Sequence, residues 1–161
     1  MKNVGENARK QSFFIKKSIE EVLNLAKLNK NEFIYSIKIN LPEEIQIAGN
    51  KIIFQGLIFK LLKNASQAYS LNDFQNRIIL IIAKIESPAK FSLSITNGGR
   101  GLSFLEKTIG RQNLFIFREQ DSDCSIQQIN QTLKKEFKGN IKIISKKNKG
   151  ATFTCYFPLN Q

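Results

Sequence analysis

The run "TNGGRGL", residues 96–102, sets Asn97, Gly98, Gly99, Arg100 and Gly101 directly behind the alternating stretch "KFSLSIT" at 90–96. Glycines so placed let a backbone come close to a phosphate-bearing ligand, or let it make a tight turn with φ > 0, and the loop alone leaves both readings open. A second group lies upstream, where "NKIIFQGLIFKLLKNASQAYS" (50–70) is apolar on one broad face at helical period and carries Lys60 and Asn64 one turn apart. The asparagine carbonyl can join the shell of a hard cation. The lysine ammonium has only donors, so Lys60 either lies near anionic oxygens or extends into water along its helix.

Other chemistries are excluded by what the chain lacks. With no histidine in 161 residues, neither a Ser/His/Asp nor a Cys/His arrangement can form, and the chain cannot be its own phosphohistidine acceptor. The two cysteines, Cys124 and Cys155, stand in no metal-ligand spacing. The net charge of +12 invites a nucleic-acid reading, but lysines are spread over nearly the whole chain. Solvated surface charge explains them, and attraction to an acidic partner is the next alternative. The longest apolar run, "IILIIA" at 78–83, is far shorter than the roughly 20 residues a membrane-spanning helix needs. The polar start has no secretory pattern either, which points to a cytoplasmic setting, one that the cytoplasmic part of a larger membrane sensor would share.

The elements that must hold these residues follow from periodicity. Residues 18–30 place Ile19, Val22, Leu23, Leu25 and Ala26 at helical spacing, with Ser18 as N-cap and Glu21 completing a capping box. "FIYSIKINL" (33–41) alternates as a strand, 50–70 is the long helix, and 77–85 with 90–96 form a hairpin around "ESPA". Residues 125–137 read as a helix, and "NIKIIS" with "ATFTCYF" as a closing hairpin around "KKNKG". The pattern is one α+β domain: a mixed sheet with three main helices on one face, Ile53, Leu57, Leu61 and Ala65 or their neighbours packing the long helix against it.

In order and distance, "GLIFKLLKNASQAY", "TNGGRGL" and "GNIKIISKKNKGATFTCYFPL" resemble the ATP-binding domain of sensor histidine kinases, of the GHKL superfamily, over residues 12–159. Residues 1–11 are then a linker or the end of a dimerisation helix, and 12–161 the ATPase-like domain. The resemblance implies a two-layer Bergerat sandwich with a nucleotide held between the long helix and a lid. In that family an Asn-x-x-x-Asn pair helps hold magnesium and the phosphates; Asn64 matches the second asparagine and Lys60 replaces the first. Its Asp-x-Gly-x-Gly loop uses the aspartate to accept a hydrogen bond from the adenine amino group; here Asn97 stands at that position, followed by Gly99 and Gly101. Its Gly-x-Gly-Leu phosphate box falls on "CSIQ" (124–127), without glycine, behind a lid region "GRQNLFIFREQDSD" (110–123) that carries Asp121 and Asp123. The resemblance thus implies ATP and magnesium bound weakly or not at all, a pseudokinase domain in two-component signalling, and a response-regulator receiver domain or histidine-bearing dimerisation helices as partner. The alternatives are a working ATP-binding domain of a divergent kinase and a basic nucleic-acid-binding module.

Overall fold

Apolar residues recur every three to four positions along Ile15–Leu28, and this segment is helix α1, burying Ile15, Ile19, Val22, Leu23 and Ala26. The structure is a computed structural model that describes residues 11–28, 36–69, 77–99, 126–146 and 148–159. Two details of α1 differ from the expectation. Leu25 is 62% exposed, and the helix begins before Ser18, whose hydroxyl donates to the Phe14 carbonyl at 3.0 Å instead of capping. The earlier start is imposed from outside the helix. Gln11–Phe14 is a strand, β1, that feeds straight into α1 and pairs antiparallel with a later strand, Gln46–Gly49; the Ile15 N–H reaches the Ile45 carbonyl at 3.1 Å. Glu21 does not box the helix start either. Its carboxylate accepts from Lys51 at 2.7–2.9 Å and from the Gln55 amide at 2.7 Å, joining α1 to the long helix.

Ser36–Asn40 is β2 and Gln46–Gly49, the partner of β1, is β3. Helix α2, Lys51–Gln67, is capped by Asn50, whose side-chain oxygen accepts from the N–H groups of Ile52 (2.9 Å) and Ile53 (3.2 Å). Next come β4 (Ile78–Ser87), β5 (Lys90–Asn97), α3 (Ile126–Phe137), β6 (Asn140–Lys146) and β7 (Gly150–Pro158). The five-stranded sheet runs β2-β4-β5-β7-β6, parallel between β2 and β4 and antiparallel elsewhere; β1 and β3 form a small separate sheet. This is the expected mixed sheet with three helices, plus a two-stranded sheet the periodicity did not suggest.

Strand alternation sorts the faces. Ile79, Ile81 and Ala83 of β4, Phe91, Leu93, Ile95 and Asn97 of β5, and Ala151, Phe153, Cys155 and Phe157 of β7 are all buried. On the opposite face hydroxyls pair across β5 and β7, Ser94 with Thr154 and Thr96 with Thr152, each at 3.0 Å. Helix α2 buries Phe54, Leu57, Ile58, Leu61, Leu62 and Ala65, and α3 buries Ile126, Ile129, Leu133 and Phe137, in the same core. Phe54 takes the place expected of Ile53, which is only partly buried. An aromatic cluster anchors the start of α2: Phe91 stacks on Phe157 at 4.9 Å between centroids, and Phe54 meets the edges of Phe157 (5.8 Å) and Phe137 (6.1 Å).

Candidate functional site

The sequence residues of chemical interest gather at the opposite end of α2, where its last turn meets the end of β5. Ala68, the C-cap of α2, is in contact with Gly99 so closely that a Cβ added to Gly99 would lie 2.6 Å from the Ala68 carbonyl carbon and 3.0 Å from its Cβ. Glycine at 99 is therefore required by backbone approach; among the described glycines only Gly150 takes a positive φ. Asn64 stands one helical turn before Ala68, roughly 5–6 Å from it between Cβ atoms, so the helix brings Asn64 toward the glycine loop. Lys60 stands one further turn back, partly buried like Asn64. Gly101, the lid sequence 110–123 and the first two residues of "CSIQ" lie outside the described residues; Ile126 and Gln127 open α3, with Ile126 buried.

Asn97 closes β5 on the helix-covered face and is 2% exposed. Its Oδ1 accepts the Gly99 N–H at 3.1 Å, while its Nδ2 is enclosed and has no hydrogen-bond partner among the described residues. A buried amide donor left unpaired costs on the order of 1–3 kcal/mol, so this is an unfavourable place for an asparagine on packing grounds alone. Gly150, with φ +91°, presses against the backbone carbonyl of Asn97, where any Cβ would collide. The end of β5 is thus held rigidly by the start of β7.

Tyr69 is the residue that sequence reasoning overlooked. Its hydroxyl accepts the Gly98 N–H at 2.7 Å and donates to the Ile78 carbonyl at 2.5 Å, tying the glycine loop to the end of α2 and to β4. A tyrosine directly behind a long helix was the visible signal, but its two partners are 9 and 29 residues away and no local pattern marks them. Cys155, buried in the sheet, has its thiol pushed up to about 12 by desolvation, so it serves as packing and not as a nucleophile or ligand. Among the described residues no cluster of acidic, histidine or cysteine side chains could hold a metal ion, and no helix is long and apolar enough to cross a membrane.

No protein-family model and no curated protein matches the chain. Solved structures do. The catalytic domain of the histidine kinase ThkA superposes with a TM-score of 0.74 over 94% of this chain and 96% of that one, at 18% identity. The fold is that of a histidine kinase catalytic domain. The mycobacterial sensor histidine kinase MprB gives a TM-score of 0.74 at 14% identity, covering 92% of this chain and 97% of its own. The Acinetobacter baumannii histidine kinase AdeS gives 0.69 at 15% identity, covering 95% and 70%. ThkA has also been solved in complex with the response regulator TrrA; there this chain covers 42% of the ThkA chain, at a TM-score of 0.73.

Proposed function

We propose that this chain is a histidine-kinase-type ATP-binding domain whose nucleotide site has diverged, and that it serves two-component signalling as a partner-docking pseudokinase module with weak or no ATP binding. The observation that carries the reading is the polarity of Asn97. The family reads adenine with an aspartate at this position, an acceptor on both oxygens; here one end of the amide is taken by the Gly99 N–H and the other is a buried donor. Adenine presents an amino group, also a donor, so the residues fit ATP poorly. Magnesium is served no better: Asn64 retains a carbonyl that can ligate it, but Lys60 has no acceptor and can only offer charge to phosphate oxygens. The absence of histidine from all 161 residues puts any phosphoacceptor on another polypeptide segment.

The partner in this reading is a receiver domain or a histidine-bearing helical hairpin. Two facts support it: the ThkA relative of the same fold is solved with a response regulator, and the net charge of +12 favours encounter with a carboxylate-rich surface. Titration with magnesium-ATP, alongside a phosphotransfer assay that supplies a separate histidine-bearing hairpin, tests the proposal. Little binding and no labelling are expected. Micromolar binding with labelling of the hairpin overturns the degenerate reading in favour of an active catalytic domain, in which case Asn97→Ala abolishes the binding. That second reading draws on the approach of Asn64, Asn97 and Gly99 to one end of α2.

A further inference from the structure

The Asn97 side chain has one workable orientation. Exchanging the two ends of its amide would set Nδ2 against the Gly99 N–H, donor against donor, so Oδ1 must face the loop and Nδ2 must face away from it. In register, Asn97 lies between Ile79 of β4 and Ala151 of β7, with Ile95 preceding it on the same face. None of these side chains offers an acceptor. The amide therefore presents an aimed donor that is buried, held rigidly by Gly99 and Gly150, and unmatched among the described residues.

A ligand that matches this donor brings a hydrogen-bond acceptor. Resting on the reading of this end of α2 as a nucleotide site, we propose that it takes a 6-oxopurine nucleotide, of guanine or hypoxanthine, in preference to ATP. At position 6 of the purine ring, guanine and hypoxanthine carry a carbonyl oxygen where adenine carries an amino group. Asn97 Nδ2 donates to that carbonyl. An aspartate here would accept from the amino group, so the single exchange of carboxylate for carboxamide inverts the preference. Adenine cannot recover the contact by turning its ring nitrogen to Nδ2 and its amino group to Oδ1, because Oδ1 is committed to the Gly99 N–H. A site that leaves a buried donor facing a donor discriminates by about ten- to a hundred-fold.

The test is titration of the full chain with GTP, ITP and ATP, each with magnesium, for the native protein and for Asn97→Asp, with thermal unfolding to verify that the variant is folded. The native chain is expected to bind GTP and ITP at least tenfold more tightly than ATP, and Asn97→Asp to reverse the order. ITP matters because it has the 6-carbonyl without the 2-amino group of guanine: GTP binding without ITP binding overturns the assignment of the contact to O6. ATP bound by the native chain as tightly as GTP overturns the inference and leaves the nucleotide-domain reading standing. So does ATP binding gained by Asn97→Asp when the native chain binds neither. Absence of binding by both proteins to all three nucleotides overturns the inference together with the descent of this end of α2 from a nucleotide site. Should the variant not fold, the native ranking of GTP, ITP and ATP decides alone.

Discussion

At the start of β5, Phe91 lies against Phe157 in a cluster with Phe54 and Phe137, every ring meeting another at centroid separations of 4.9–6.1 Å. At the end of the same strand, about 20 Å away, Asn97 is buried as deeply but holds an amide nitrogen that meets no acceptor among the described residues. The two ends share one helix, one strand pair and one face of the sheet, yet they do different things. The aromatic end converts burial into stability, since apolar surface leaves water and dispersion contacts are made in full. The asparagine end gives burial to a polar group and gains nothing in folding from its nitrogen. Depth alone therefore does not identify a core. What a buried group touches separates the part of a molecule that holds it together from the part arranged for something else.

The largest effect that would break this contrast is expected at the aromatic end. Phe157→Ala empties the centre of the ring cluster and should lower unfolding stability by about 3–5 kcal/mol, read from the urea midpoint. A loss below ~1 kcal/mol would mean that the cluster is not the anchor described above. Between the two ends in size stands Gly150→Ala, where the left-handed φ and the collision with the Asn97 carbonyl should together cost roughly 2 kcal/mol or more. Asn97→Ala sharpens the comparison from the other side. It frees the Gly99 N–H but removes the unmatched donor, two changes of opposite sign, so stability should move by no more than about 1 kcal/mol in either direction despite the burial.

The smallest effect is at the half-exposed Glu21–Lys51 pair near the aromatic end. The hydrogen bond from Lys51, against the opposing effect of partial burial and with help from Gln55, holds the Glu21 carboxyl below its usual value of 4.5. A depressed folded-state value means that the contribution is complete above the unfolded value and is lost as pH falls through the folded one. Glu21→Gln should consequently cost well under ~1 kcal/mol at neutral pH, and the difference from the native protein should vanish in acid.

The long helix, both hairpins and the closing helix were legible because each is written in a local period. Asn50 caps α2 and the turn around Asn148 and Gly150 closes the last hairpin, both within the short range where side-chain chemistry dictates backbone. Strands β1 and β3 were not legible. Four residues each, "QSFF" and "QIAG" contain too few alternations to show a period, and they exist because they pair with each other across more than thirty residues of chain. The start of α1 was misplaced for the same reason: Ser18 is a good cap in isolation, but β1 and the Ile45 carbonyl set the helix going earlier.

Of the candidate site, residue types were readable and relations were not. That Asn97, Gly99, Lys60 and Asn64 are the residues with chemistry to offer follows from their identities and from the helix that spaces the last two by one turn. That Gly99 is there to let α2 approach, that Tyr69 ties the glycine loop to two distant backbones, and that the Asn97 amide has one end occupied and the other unmatched depend on where α2 docks along β5 and on how β7 presses Gly150 against it. Local sequence determines what a side chain can donate or accept, because that is covalent chemistry. Whether a donor or an acceptor is left over is set by the neighbours that packing brings, and those neighbours come from parts of the chain that no local pattern connects.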